Sequence, residues 1–268
     1  MTSTRTPEEW DEVRFYRERA GEYFPKLLRN SGVMVAHLLR CGLFGLGHAR
    51  GQISQAFSVH SHTSIDALVP GQSIHYCGPR LRQVHKRVVL SLTSRASQKG
   101  GDITLEFHAG DFLRSMGKDA SSKSVNLLKE ILTDLRAATF RVQLYERDKG
   151  DIFGFITGAE WDQRDFSVTM DRRYTYALEC LSSTFVPLDL RNELNDNLES
   201  GLADLIWSTD VDLFQVDALA KMWDEEPGQF GRELTPALKK LKEVGVIANF
   251  QRMRGQFRIE RGRRFARA

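Results

Sequence analysis

Apolar residues recur with two different periods along the chain, and these periods predict the order of its helices and strands. From Leu81 to Ala96 they recur every three or four positions, which is typical of an amphipathic helix. Residues 102–108 alternate as a half-buried strand does. A short helix at 111–116, a polar turn and an amphipathic helix over 125–135 follow. A hairpin is predicted next, with strands at 140–145 and 152–156 around Asp148-Lys-Gly-Asp. This order is that of a winged helix.

The same order returns about 110 residues downstream. Residues 194–205 predict a first helix, 213–214 a strand, 218–223 a second helix capped by Asp217, and 234–244 a third helix that ends at Gly245. Strands at 246–250 and 256–259 form the hairpin. At this offset Asp102 aligns with Asp212, and Leu128 with Leu238. The duplicated pattern therefore predicts an α+β protein with two tandem winged-helix domains and a short N-terminal extension.

Pro236 suggests where the last of these helices begins. Proline inside a helix removes a backbone hydrogen bond, whereas at the first helical position the missing N–H has no partner to lose. We therefore predict Thr235 as the N-cap and Pro236 as the first helical residue, with residues 225–231 forming the turn before it.

The remaining segments predict the domain boundaries. Residues 8–30 have a helical, strongly charged composition, and residues 32–79 are glycine-rich with two short strands. A strand at 166–170 and a helix over 172–185 are predicted between the two winged helices. We predict a partly helical extension at 1–52, a first domain at 53–185 and a second domain at 186–268.

Composition indicates an ordinary globular protein. The 268 residues are 41% hydrophobic, and 38 Lys and Arg face 35 Asp and Glu. We find no stretch of about 20 apolar residues that would span a bilayer, and the charged N-terminus lacks the apolar core of a signal peptide. The three cysteines are far apart, as expected for reduced thiols. These features predict a cytoplasmic protein.

Charge is divided unevenly between two neighbouring segments. Residues 186–228 contain eleven acidic and two basic residues, whereas residues 230–268 contain eleven basic and three acidic residues. Such asymmetry favours a polyanion-binding end, and duplex DNA requires basic side chains on one face. Serine, asparagine, lysine and arginine supply the phosphate and base contacts. The candidate DNA-binding residues surround the third helix and hairpin of each module: Lys118, Ser121, Ser122, Lys123, Ser124, Asn126, Lys129, Arg147 and Lys149 in the first, and Arg232, Thr235, Lys239, Lys242, Arg252, Arg254 and Arg258 in the second.

Other chemistry is less well supported. His60, His62, His75 and Cys77 are zinc-capable residues on short β-prone segments, but no ligand knuckle flanks them. The glycines between residues 42 and 51 are not followed by the Gly-Lys-Ser/Thr of a nucleotide-binding loop. The acidic residues lack the paired spacing of a nuclease or polymerase site. We therefore expect no enzymatic activity, metal or cofactor.

Several short segments resemble plasmid replication initiators of the TrfA type, within the tandem winged-helix Rep group. They are Gly42-Leu-Phe44, Tyr76-Cys-Gly-Pro-Arg-Leu, Asp102-Ile-Thr-Leu-Glu-Phe-His, Asp111-Phe-Leu-Arg-Ser-Met-Gly and the helix at 127–135. The resemblance extends from about residue 42 to the C-terminus, and the order of elements carries it more than any single motif.

The resemblance implies a function in plasmid replication and copy control. It implies a non-enzymatic initiator that binds direct repeats (iterons) at the origin, with both third helices in major grooves of one repeat. It further implies opening of an AT-rich region, binding of single-stranded origin DNA, recruitment of the host replicative helicase with DnaA, and a homodimer that limits copy number. The residues alone also leave open a winged-helix transcriptional repressor that binds a promoter operator, or an adaptor whose winged helices bind protein.

Overall fold

A computed structural model of the protein describes residues 30–47, 52–57, 72–99, 103–144, 149–180 and 183–262. The predicted helix at 8–30 lies outside these residues. The nine described helices are α1 (Ala36–Arg40), α2 (Gln83–Gln98), α3 (Ala109–Ser115), α4 (Ser122–Ala137), α5 (Arg172–Cys180), α6 (Leu188–Asn192), α7 (Leu198–Ser208), α8 (Val216–Met222) and α9 (Pro227–Val244). The described strands are β1 (Ser31–Val35), β2 (Phe44–Gly45), β3 (Gln52–Phe57), β4 (Gln72–Pro79), β5 (Leu81–Arg82), β6 (Thr104–His108), β7 (Thr139–Leu144), β8 (Lys149–Phe153), β9 (Ile156–Asp162), β10 (Asp165–Met170), β11 (Ser183–Pro187), β12 (Leu213–Gln215), β13 (Ile247–Met253) and β14 (Gln256–Arg261).

The first module, residues 83–170, packs α2, α3 and α4 against a three-stranded sheet of order β6-β10-β9. Its helices form where the apolar period predicts them, and the buried stripe of α4 includes Val125, Leu128 and Leu132. The ring of Phe112 on α3 stacks on the ring of Phe107 on β6, with 4.4 Å between the ring centroids. As the third helix of the module, directly before its last strands, α4 occupies the position of the recognition helix of a winged helix, and one side of it is exposed.

The second module, residues 198–261, repeats this arrangement with α7, α8 and α9 against a sheet of order β12-β14-β13. The recognition helix α9 ends at Gly245, whose left-handed φ of 85° suits glycine. Equivalent strands therefore pair in the same order in both modules, and the predicted duplication of a winged helix is confirmed.

The wing of the first module is not the hairpin that the sequence predicts. β7 and β8 do pair, but they belong to a separate four-stranded sheet of order β3-β4-β7-β8. In the first module, the strands equivalent to β13 and β14 are β9 and β10, because β10 pairs with β6 just as β14 pairs with β12. The strand predicted between the modules at 166–170 is thus the central strand of the wing. Several successive segments in this region alternate apolar and polar residues, so the local pattern fits more than one hairpin. Only the pairing with the distant strand β6 shows which hairpin is the wing.

The start of α9 also differs from the prediction. The helix begins at Pro227, with Glu226 as its N-cap, and Pro236 lies inside it. Phe230 and Leu234 are buried and extend the apolar stripe of Leu238 backwards by two turns. Packing of this stripe against α7 and α8 holds the helix together across the missing N–H of Pro236. Residues 227–231 are therefore helical and not the predicted turn.

Two smaller predictions are corrected. Asp217 is not the cap of α8: it lies in the first turn of this helix, whose N-cap is Gln215. The helix predicted over 172–185 ends at Cys180, and β11 follows, paired with β1.

The segment before the first module packs into its core. Val33 and Met34 of β1 are fully buried, and β2 pairs in parallel with β5. One apolar cluster extends from Val33 to Leu188 and a second from Leu190 to Ile259, with Trp207 packed against both. The predicted domain boundaries remain a prediction.

Candidate nucleic-acid interface

The recognition helix of the second module presents a basic face. Arg232 and Lys239 are exposed on α9, on the side opposite its buried stripe. Lys242 is also exposed, and its Nζ donates to Asn249 Oδ1 of β13 at 2.9 Å. Glu226 accepts from the backbone N–H of Gln229 at 2.7 Å, and such bonds hold the pKa of its carboxyl below the ordinary value. The first turn of α9 is therefore capped by a carboxylate of the protein itself.

The wing of this module is fixed against α9. Arg252 on β13 donates from Nη1 to Thr235 Oγ1 at 2.6 Å, and Arg252 Nη2 lies 3.3 Å from where a Cβ on Gly231 would stand. A cleft of about 500 Å³ lies between the start of α9, the start of α8 and the wing turn, and Arg232, Arg252 and Arg254 line it. Guanidinium groups can donate two hydrogen bonds to a phosphate, and three of them line this one cleft.

Arg258 does not join this group. It lies opposite Leu213 and Gln251 in the sheet, whereas Arg252 lies opposite the buried Phe257. Because successive side chains of a strand point to opposite faces, Arg258 is on the sheet face away from α9. The structure therefore brings Arg232, Thr235, Arg252 and Arg254 together, places Lys239 and Lys242 further along the exposed side of α9, and separates Arg258.

The start of α4 in the first module is organised by a carboxylate. Ser121 is the N-cap and accepts from the N–H of Ser124, while the hydroxyls of Ser121 and Ser124 both donate to Asp119 Oδ1. These hydrogen bonds lower the pKa of Asp119 to about 2. Two of the predicted DNA-binding serines thus have partners within the protein.

The exposed residues of α4 include Ser122, Lys123 and Asn126. Lys129 lies one turn further, with its Nζ 5.6 Å from the ring centroid of Trp161 on β9. Trp161 is 42% exposed and packs on Phe166 with 6.0 Å between centroids. At the wing turn, Arg164 Nη1 donates to the carbonyl of Ala120 at 3.2 Å and so fixes the wing against the start of α4.

Sequence reasoning missed Trp161 and Arg164 because it placed the wing elsewhere. The sequence does contain an indication of this second hairpin. The polar segment Asp162-Gln-Arg-Asp, typical of a turn, lies between two segments that alternate apolar and polar residues.

Of the predicted residues of the first module, Lys118 and Lys149 lie outside this face. Lys118 forms an ion pair with Asp196 at 2.9 Å, at the junction with the second module. Lys149 begins β8, in the sheet separate from the wing, and Arg147 lies outside the described residues.

The two modules differ in charge where they would meet DNA. Residues 227–261, which hold α9 and its wing, carry eight basic and three acidic side chains, a net charge of +5. The equivalent residues 122–137 and 156–170 carry four basic and five acidic side chains, a net charge of −1. Positive charge on these equivalent segments is therefore concentrated on α9 and its wing.

A metal site and a membrane span each place definite requirements on the described part of the chain. Among the described residues no group of three or more His, Cys, Asp or Glu side chains is arranged to hold a metal ion. His60 and His62 lie outside those residues. None of the described helices has the length and apolar character needed to cross a membrane.

The fold and this surface define the class of the protein: a tandem winged-helix protein of mixed α and β structure. Among solved structures, the chain is similar to a selenomethionine derivative of domains 2 and 3 of RctB, with a TM-score of 0.61, 11% identity, and coverage of 84% of this chain and 98% of that chain. A second structure of RctB domains 2–3 gives a TM-score of 0.58 at 12% identity, covering 84% and 96%. Known family models and curated proteins give no match. At this identity the similarity shows the fold.

Proposed function

We propose that this protein is a replication initiator that binds origin DNA through its two winged helices. The observation that carries the proposal is the basic surface of α9 and its wing, where Arg232, Arg252 and Arg254 surround one cleft. The fold is that of domains 2 and 3 of RctB, a replication initiator, over 84% of this chain. Fold and charge thus point to the same activity from independent observations.

The second module would supply most of the attraction to the DNA backbone. Each phosphate that a lysine or arginine neutralises releases counterions, which strengthens binding at low salt. Arg252 is held in place by Thr235 and so loses little side-chain freedom on binding. Lys239, on the exposed face of α9, is positioned to enter the major groove.

The first module would add sequence recognition with fewer charges. Ser122, Lys123 and Asn126 are exposed on the first turns of α4, and asparagine and lysine are side chains that read base edges. Lys129 of α4 lies over the ring of Trp161 of the wing, so these two side chains connect α4 to the wing.

The finer function follows the resemblance to TrfA-type initiators. We propose that the DNA site consists of plasmid iterons, that binding promotes opening of an adjacent AT-rich region, and that the host helicase and DnaA are then recruited. The protein acts without catalysing a reaction, in the cytoplasm, and a homodimer limits copy number.

DNase footprinting on the replicon that encodes the protein tests this proposal. We expect protection of direct repeats, with duplex affinity lowered at least tenfold by the double substitution Arg252→Ala and Arg254→Ala. The control Lys221→Ala removes an exposed charge from α8 of the same module and should bind as the wild type does. A protected palindrome at a promoter would instead indicate a repressor, and protection without any preferred sequence would contradict both.

A further inference from the structure

A cluster of buried charges joins the two modules. It consists of Lys86 and Arg87 on α2, Arg191 on α6, Asp196, and Asp204 on α7, and we name it the junction cluster. The side chains of Lys86, Arg87, Arg191 and Asp204 are at most 2% exposed. A buried charged side chain is strongly destabilising when it loses its partner. These ion pairs therefore resist any movement that would separate the residues they join.

Arg87 connects the first module to the chain that precedes the second. Its Nε lies 2.7 Å from Asp196 Oδ1, its Nη2 donates to the carbonyl of Leu194 at 2.6 Å, and its Nη1 donates to Asn192 Oδ1 at 3.1 Å. The same Nη1 also donates to the carbonyl of Met116, at the end of α3. Since a guanidinium is a planar fork, these acceptors must keep their relative positions to be satisfied together.

Lys86 and Arg191 make the connection to the second module itself. Lys86 Nζ lies 3.2 Å from Asp204 Oδ2. Arg191 Nε lies 3.3 Å from Asp204 Oδ1, and Arg191 Nη1 lies 3.3 Å from Asp196 Oδ1. Burial lowers the pKa of Lys86, although Asp204 opposes this shift. Burial also raises the pKa of Asp196, but Arg87, Arg191 and Lys118 outweigh burial and hold that pKa below its ordinary value.

Further contacts support the same junction from two sides. Lys118, in the turn that leads to α4, pairs with Asp196 at 2.9 Å, and Asn192 Nδ2 donates to the carbonyl of Ser115 at 2.9 Å. On another side, a Cβ on Gly42 would stand 1.8 Å from the carbonyl oxygen of Met222, at the end of α8. Domains in one chain usually move relative to each other unless their interface prevents it. Here a rotation would break several buried contacts at once.

We infer that the junction cluster holds the recognition helices α4 and α9 in one fixed relation, so that the protein selects the spacing between its two half-sites as well as their sequence. Asp196 is the central positioning residue, because it joins Arg87, Arg191 and Lys118. This inference rests on the proposed function, since spacing has a meaning only if both helices contact one duplex.

The test uses the full chain and a duplex selected by the protein from a random library. Insertion of about 5 bp between the half-sites rotates one by half a helical turn, and about 10 bp moves it by roughly 34 Å along the same face. A rigid protein loses simultaneous contact in both cases, and we expect affinity to fall roughly 100-fold. Recovery at the longer insertion, or tolerance of both, would overturn the inference; failure to select any sequence would instead contradict the proposed function.

A pair of matched substitutions tests the role of Asp196. Asp196→Asn should reduce the loss on insertion to less than about tenfold, whereas Asp189→Asn, on an exposed carboxylate of α6, should keep the wild-type loss. A folded D196N protein with wild-type discrimination would show that Asp196 does not position the modules. If D196N does not fold, the insertion series on the wild type still decides.

Calorimetry gives a readout that does not involve DNA. Coupled modules unfold in one transition, so we expect a single transition for the wild type and for D189N. Two independent transitions in the wild type would overturn the inference whatever DNA the protein binds.

Discussion

His85 is a neutral histidine enclosed between two helices of the first module. Its side chain is fully buried, Nδ1 accepts from the N–H of Arg82 at 3.1 Å, and Nε2 lies 3.0 Å from Asp134 Oδ2 on α4. Since Nδ1 is an acceptor, Nε2 carries the proton and donates to the carboxylate. Burial lowers the pKa of His85, and the contact with Asp134 opposes but does not cancel that effect. A single side chain thus makes the α2–α4 contact sensitive to pH.

The sign of this effect follows from the lowered pKa. Between the folded pKa and about 6.5, the unfolded chain binds the proton and the folded chain does not, so the stability from neutral His85 is present above pH 6.5 and is lost as pH falls. We expect His85→Gln to remove this part of the pH dependence, at most about 1.4 kcal/mol per pH unit. Urea unfolding from pH 5 to 8 measures it, with the exposed His75→Gln as control. An unchanged slope in H85Q would contradict the assignment.

Among the elements, α9 is the one in which local preference and tertiary packing disagree. Pro236 interrupts the backbone hydrogen bonds of an 18-residue helix, yet the helix continues on both sides of it. Pro227 occupies the first turn of the same helix, where proline is well tolerated. The buried residues Phe230 and Leu234 supply the packing that keeps the first half of the helix in place.

We expect Pro236→Ala to raise the free energy of unfolding by about 1–3 kcal/mol, because alanine restores a backbone donor in the helix interior. Pro227→Ala is the matched control and should change it by less than about 0.5 kcal/mol. Denaturant unfolding of the two variants measures the difference. Equal effects from both substitutions would show that Pro236 lies at a helix start and not inside a helix.

Across the two modules, the recognition helix and wing are strongly basic in the second and nearly neutral in the first, and a buried junction connects the modules. The net charges of +5 and −1 on the equivalent helix and wing segments would give the modules different parts in the proposed DNA binding. Phosphate contacts would come mainly from α9 and its wing, and the first module would be brought to its half-site through the junction.

This division predicts an unequal salt dependence. Replacing Arg232 and Arg254 by alanine should reduce the slope of log affinity against log salt by about 2, since each lost phosphate contact contributes roughly 0.9. Replacing Lys123 and Lys129 should reduce it by less than about 1, because Lys129 lies against Trp161. Fluorescence anisotropy between 50 and roughly 300 mM salt measures both slopes. Equal slopes would show that the modules share the backbone contacts.

The candidate site could be predicted only in part. Residues on α4 and α9, such as Asn126 and Lys239, are identified by their position off the apolar stripe. Lys118 has the same sequence character but pairs with Asp196 across the junction. Trp161 and Arg164 could not be assigned, because their importance depends on which hairpin pairs with β6.

The repeated order of helices and strands and the concentration of basic residues at one end are readable in the sequence. Both are local properties, because the apolar period of a helix or strand depends on a few neighbouring residues. Contacts between distant segments select the hairpin that forms the first wing, start α9 at Pro227 and bury Lys86 and Arg87. These outcomes depend on pairing and packing between segments far apart in the chain. The residues next to a lysine or arginine in a helix do not indicate that it will be buried against a carboxylate about a hundred residues away.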